Sequence, residues 1–146
     1  MIISVVGSGG KTTLIKNLAK QYRAAGKTVL VTTSTHMFIE EDTLLTDDAA
    51  VIIRALQEKG YVMAGIPAGI KFKSLSPETF SEVSSCADVV LVEADGSKCL
   101  PLKYPNTTEP VIPEGTDEII VVCGLDALGR KAKEVCHRLE RVKTCL

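Results

Sequence analysis

At 146 residues the chain is the size of one domain, and 45% hydrophobic with 24% charged residues is an ordinary balance for a globular fold that buries a core. A net charge of −1, with no long basic run and no set of aromatic residues to stack on bases, gives no electrostatic argument for nucleic acid or a membrane surface. No stretch approaches the roughly 20 apolar residues that a membrane span needs.

The cysteines, Cys86, Cys99, Cys123, Cys136 and Cys145, are odd in number and include no CxxC pair. A disulfide framework or zinc ribbon is therefore not expected. With no signal-peptide pattern at the start, a reduced, cytoplasmic setting is expected.

Residues 2–6 (IISVV) form an apolar run predicted as a buried strand. Gly7, Ser8, Gly9 and Gly10 then make a glycine-rich turn, and Lys11, Thr12 and Thr13 open a helix predicted over 11–24. That helix carries Leu14, Ile15, Leu18 and Tyr22 on one face, and Gly26 stands where a helix stops. Strand, glycine loop, Lys-Thr and helix is the layout of a phosphate-binding P-loop. Glycines let successive backbone N–H groups converge on an anion, and the helix N-terminus adds its positive dipole end. The Lys11 ammonium can reach the outer phosphates and the Thr12 hydroxyl can take a Mg²⁺ ligand position. Gly7, Ser8, Gly9, Gly10, Lys11, Thr12 and Thr13 are thus the candidate nucleotide-binding residues.

The spacing departs from G-x-x-x-x-G-K-[ST], because Val5 occupies the first-glycine position. Either the loop is shortened, with Gly7 in that part, or it belongs to another class of phosphate loop. The form G-x-x-G-K-T-T resembles the ATP loop of Mur ligases and folylpolyglutamate synthetases. A glycine turn that only joins strand to helix is the plain alternative.

Residues 28–32 (TVLVT) are predicted as the second strand, and Thr32, Thr33, Ser34, Thr35 and His36 follow at its carboxyl end, where open α/β sheets place ligands. Thr33 is a candidate for holding the metal or its waters, and His36 for contacting phosphate or substrate. A helix cap and turn, with a structural histidine, is the alternative. Residues 38–45 read as an acidic, irregular connector. A helix is predicted over 46–59, with Thr46 as N-cap, Asp47 and Asp48 in the first turn and Gly60 as stop. A third strand over 61–66 is expected to break at Pro67-Ala68-Gly69. Residues 70–75 are a short strand or loop, and Ser76-Pro77-Glu78 starts a helix running to about Cys86.

Residues 88–93 (DVVLVE) are predicted as a strand covered on both faces, ending in Glu93-Ala94-Asp95-Gly96. An acidic residue at such a strand end is what P-loop proteins use to hold or polarise Mg²⁺ and its waters. Glu93 and Asp95 share a face on an extended backbone, and a simple Asp-Gly turn is the alternative. Residues 98–113 are rich in proline yet too apolar for a disordered linker, and are expected to cross the ligand edge of the sheet. Lys98 and Lys103 there could meet an anionic ligand or simply lie in solvent.

A fifth strand is predicted over 117–123. Asp126 follows it, as a contact to base, ribose or substrate or as an ordinary turn residue. A basic helix is predicted over 131–141, including His137 and Arg138. Cys99 and Cys123 lie near expected ligand-side loops, although free cysteines are usually small buried hydrophobes. Alternating strands and helices predict a three-layer α/β fold, P-loop NTPase-like, with a mainly parallel sheet in a single domain over 1–146. The abrupt end at Leu146 suggests truncation of something longer.

Four segments taken together, VVGSGGKTTL, VLVTTSTHM, LVEADGSKCLPLKYPNTTEPVIP and VVCGLDALG, resemble the YqeC family, described as selenium-dependent molybdenum hydroxylase accessory proteins. The resemblance covers nearly the whole chain, and the EADGSK to EPVIP block is far more specific than the P-loop. It implies a P-loop nucleotide-binding protein in the maturation of selenium-dependent molybdenum enzymes, handling selenium or the molybdopterin cofactor. It carries over the phosphate loop 7–13, the acidic strand end at Glu93 and Asp95, and the polar loop from Thr33 to His36. Lys98, Asp126, His137 and Arg138 sit in family-like segments. Family members continue past an H-R-x-E segment, matched here by His137-Arg138-Leu139-Glu140.

Two functions follow as expectations. The first is an ATP- or GTP-dependent phosphoryl-transfer enzyme with Lys11, Glu93, Asp95 and His36 as catalytic residues and Thr12, Thr33 and Glu93 around Mg²⁺. The second is a nucleotide-switched carrier or chaperone for a molybdenum hydroxylase or its cofactor. A dinucleotide-binding Rossmann domain fits less well, since Thr12 stands at the third-glycine position and no acidic residue ends the second strand. Expected partners are the nucleoside triphosphate and a hydroxylase or its cofactor, without nucleic acid or membrane; homo-oligomer formation is left open.

Overall fold

The computed structural model of the chain describes residues 1–96, 100–105 and 107–144. Its centre is a parallel sheet built from β1 (Ile2–Gly7), β2 (Val29–Thr33), β5 (Tyr61–Ala68), β7 (Val89–Glu93) and β9 (Glu118–Val122), in the order β5-β2-β7-β1-β9. Short β4 (Thr43–Leu45) pairs parallel with β5. Past Gly65, β5 turns to an antiparallel neighbour, β6 (Lys71–Lys73), which in turn pairs with β3 (His36–Phe38).

The apolar runs in β2 and β7 are continuous because both faces are covered. Val29, Val31, Val89 and Leu91 pack with Ile15 and Ala19 of α1 (Lys11–Ala24). The alternate residues Leu30, Val90 and Val92 pack with Ile52 and Leu56 of α2 (Ala49–Lys59) and Val83 of α3 (Pro77–Cys86). The fold is therefore mixed α/β, a mostly parallel sheet flanked by helices. Among the described residues, no helix is long and apolar enough to cross a membrane.

Four local expectations are corrected. Asp48, not Thr46, caps α2: its Oδ1 accepts from the Val51 N–H at 3.2 Å, while Thr46 Oγ1 accepts from the Asp48 N–H at 3.1 Å. Residues 38–45 are not a plain connector, since β4 completes the flank of β5. Pro67 does not break β5, because by then the strand pairs with β6 alone and its missing N–H falls on an open side. The predicted helix over 131–141 shrinks to α4 (Ala132–Val135). Cys136–His137 then forms β10, parallel to β8 (Leu102–Lys103), and Arg138 takes a positive φ of 65° before a final 3₁₀ turn. Pairing with β8 holds this segment extended, so it cannot remain helical.

Among the described cysteines, Cys86 and Cys123 are exposed rather than buried, Cys136 is half-buried, and all three are free. Cys99 and Cys145 lie outside the described residues.

Candidate functional site

The site is assembled by strand order. β1 lies between β7 and β9, and the register sets Val5 beside Glu93 and Gly7 beside Val122. The chain leaves β1 at Gly7 with φ 90°, where a Cβ would run into the Val122 carbonyl. At Gly9, φ 79°, a Cβ would stand 2.5 Å from the Gly124 Cα. Both positions demand glycine on conformation and on space. The Ser8 N–H donates to the Val122 carbonyl at 2.8 Å, and Ser8 is buried, so Gly7 and Ser8 anchor the loop.

Helix α1 starts at Lys11 with Gly10 before it and no side-chain cap. Its positive end opens on a cavity of about 430 Å³ lined by Gly9, Gly10, Lys11, Thr12, Thr13, His36, Lys71 and Glu93, among others. Uncapped first-turn N–H groups at a glycine turn are the natural partners of an anion.

The Lys11 ammonium donates to the Gly7 carbonyl at 2.7 Å and lies 3.2 Å from Asp95 Oδ1, with both side chains 5% exposed. Asp95 Oδ2 accepts from the Gly7 N–H at 3.1 Å and lies 3.4 Å from the Lys103 ammonium. Lys103 lies 2.6 Å from Glu109 Oε2, which also accepts from Arg138 Nη1 at 2.6 Å. The Lys11 loop is thus tied through alternating charges to the loop before β9 and to the turn after β10.

Thr12 Oγ1 donates to Glu93 Oε2 at 2.9 Å. Two hard-oxygen groups, a hydroxyl and a carboxylate, therefore meet on the cavity wall, which suits a Mg²⁺ ion that takes its remaining ligands from water and phosphate. Among the described residues, no group of three or more His, Cys, Asp or Glu side chains would hold a metal unaided. Burial pushes the Glu93 carboxyl above its ordinary range. The Lys11 ammonium, the Thr12 hydrogen bond and Lys71 oppose that rise, and the Asp95 charge reinforces it.

Other candidates are placed differently. Thr33 is buried, and its hydroxyl donates to the Glu93 carbonyl at 2.8 Å and accepts from the Thr35 N–H at 3.0 Å. It fixes the backbone beneath Glu93 rather than lining the loop cavity. His36 is exposed on β3 and lines that cavity. Asp126 is exposed in a 3₁₀ turn (Leu125–Ala127), away from the cavity lining. Lys98 lies outside the described residues. Lys103 is not a solvated lysine: its side chain is 1% exposed.

Sequence reasoning passed over Glu109, which joins Lys103 to Arg138. The available signal was weak: one acidic residue among the prolines and apolar side chains of an ordered loop. The Arg138 hydrogen bond, aided by Lys103, holds the Glu109 carboxyl down at about 2, below the ordinary carboxylate value. A group depressed in the folded state stabilises fully above its unfolded value and loses that contribution as pH falls through the folded one. Urea midpoints of the wild type should therefore drop between about pH 5 and pH 2.5, and those of Glu109→Gln should drop less across that window. Equal drops in the two proteins would deny the pairing any role in stability.

The YqeC protein family matches residues 3–140 of this chain. A curated relative, the "Uncharacterized protein YqeC" of Escherichia coli (strain K12), is 36% identical over 154 aligned positions, covering 94% of this chain and 57% of the relative. The chain thus spans little more than half the length of the curated relative it matches. No solved structure matches it. With the family match running from the first strand through the Arg138 turn, and more than a third of aligned positions identical to a curated member, the chain belongs to the YqeC family.

Proposed function

We propose that the chain is a P-loop NTPase-like protein that binds Mg·ATP or Mg·GTP at the Lys11 loop and transfers a phosphoryl group. The observation that carries this reading is the 2.9 Å hydrogen bond from Thr12 to Glu93. It joins the residue after the loop lysine to the carboxylate ending the adjacent parallel strand, the two groups that a P-loop site turns toward its metal. First-turn N–H groups and the Lys11 ammonium would bind the phosphate oxygens. Bound Mg²⁺ would neutralise charge on those oxygens. Glu93, its proton affinity raised by burial, would orient or deprotonate the attacking nucleophile. His36 would meet the outer phosphate or the acceptor from the cavity rim. The resemblance to hydroxylase accessory proteins supports an acceptor or partner in molybdenum hydroxylase maturation, in the cytoplasm.

A second reading, the nucleotide-switched carrier for a hydroxylase or its cofactor, is favoured by one feature. Asp95 is shared between Lys11 and Lys103, so a phosphate that drew Lys11 away would alter the charges reaching Glu109 and Arg138. The Rossmann alternative loses ground because β2 ends in Thr33, without the acidic residue that reads a ribose.

Calorimetric titration with Mg·ATP, Mg·GTP and NADH tests the proposal. One triphosphate should bind in the wild type, and affinity should fall at least about 100-fold in Lys11→Ala, the equivalent of two charge-assisted hydrogen bonds. No triphosphate binding, or equal binding in Lys11→Ala, overturns it.

A further inference from the structure

A second cavity, of about 550 Å³, opens on the opposite face of the sheet. Val92 lines it, whereas Glu93, the next residue of β7, lines the phosphate-loop cavity. Its walls are apolar where Phe80 of α3, Val92 and Val111 face it. Two serines, Ser34 and Ser84, also line it, and their hydroxyl oxygens are buried without a hydrogen-bond partner among the described residues.

An unpartnered buried hydroxyl carries a free-energy cost. Two of them on residues lining one cavity mean that a ligand able to bond them would recover part of that cost. Each hydroxyl turns about a single side-chain torsion, so reaching a ligand needs no backbone change. The cavity volume lies within the roughly 300–1,000 Å³ typical of small-molecule sites.

Charge narrows the ligand class. Among the described lining residues there is no lysine, arginine or histidine, and Glu114 is the one charged side chain. A phosphate or carboxylate would enter beside a like charge with no cation to meet it. This excludes the ligands that suit the Lys11 loop.

We propose that this cavity binds a neutral, largely apolar small molecule whose polar group hydrogen-bonds with Ser34 and Ser84. The site stands independently of the nucleotide reading. Its wall nevertheless touches that region, because the Ser34 N–H donates to the Glu93 carbonyl at 3.1 Å. Competing occupants are an apolar side chain from a partner protein and an anionic metabolite.

Nitrogen-15 NMR titration of the whole chain with benzyl alcohol, toluene and benzoate separates these occupants. Benzyl alcohol should give saturable shifts at the Ser34, Ser84 and Gly115 amides. It should bind about tenfold tighter than toluene, which lacks the hydroxyl, and than benzoate, which adds charge. Replacing both serines by alanine should bring benzyl alcohol and toluene within about twofold of each other. Ser84→Leu, which fills the cavity, should abolish saturation while thermal unfolding remains cooperative. Should Ser84→Leu not fold, the double alanine variant decides. No saturable shift with any probe overturns the proposal. Equal binding of toluene and benzyl alcohol also overturns it and marks a seat for a protein side chain. Benzoate binding as tightly as benzyl alcohol overturns it in favour of an anion. None of these readouts uses nucleotide, so failure here leaves the Lys11 site untouched.

Discussion

Replacing Asp95 by alanine is expected to lower the thermal midpoint by about 10–15 °C at neutral pH. Asp95 is 5% exposed and meets the Lys11 ammonium at 3.2 Å, the Lys103 ammonium at 3.4 Å and the Gly7 N–H at 3.1 Å. Alanine would leave the buried Lys11 ammonium without its ion-pair carboxylate, Lys103 with Glu109 alone, and the Gly7 N–H with no acceptor. Removing one partner of a buried ion pair costs about 3–5 kcal/mol. In a domain near 150 residues, each kcal/mol moves the midpoint by about 3 °C. Asp95→Asn should fall between wild type and alanine, since its amide oxygen still accepts from Gly7 while the charge is gone. Thermal and urea unfolding by circular dichroism check this. A loss below about 1 kcal/mol would mean that water solvates Lys11 and Lys103 once Asp95 is removed, and that the charge chain is not structural.

Asp95 also illustrates which parts of the site were legible in the sequence. The glycine turn from β1 into α1 was, because everything it needs is local: an apolar strand, glycines, Lys11 and a helix with Ile15 on its inner face. The acidic strand end at Glu93 was legible for the same reason. Their meeting was expected only from the motif pattern, since it depends on β7 inserting between β2 and β1, a pairing of segments far apart in the chain. Register decides Thr33 in the same way. A threonine at a strand end is a fair metal ligand until Glu93 stands opposite and takes its hydroxyl at the backbone carbonyl.

Local rules failed where tertiary pairing overrode them. Proline stops a central strand, but Pro67 lies where β5 has lost one neighbour. The stretch after Lys131 has helical character on its own, yet Cys136 and His137 are held extended by Leu102 and Lys103. Thr46 and Asp48 are both good caps, and only the position of the first helical turn chooses between them. The serines of the second cavity carry no sequence signal at all, because an unpartnered hydroxyl is defined by its surroundings.

Glu93→Gln is expected to separate binding from chemistry. The amide oxygen can still accept from Thr12, and Lys11 and the helix N-terminus are untouched, so affinity for Mg·ATP or Mg·GTP should stay within about fivefold of wild type. Turnover should fall about 100- to 1,000-fold, the range for losing a general base or a charge that orders the nucleophile. The pH profile carries a second signature. Burial raises the Glu93 carboxyl and bound Mg²⁺ would pull it back down, so wild-type turnover should climb with pH as Glu93 ionises, and that limb should vanish in Glu93→Gln. Affinity lost in step with turnover would assign Glu93 to ground-state metal binding instead. Turnover unchanged by the substitution, or too slow in the wild type to be altered, would leave Glu93 as a structural partner of Thr12. The carrier reading would then rest on whether nucleotide weakens the link from Asp95 through Lys103 and Glu109 to Arg138, which amide exchange around Lys103 and Arg138 would report.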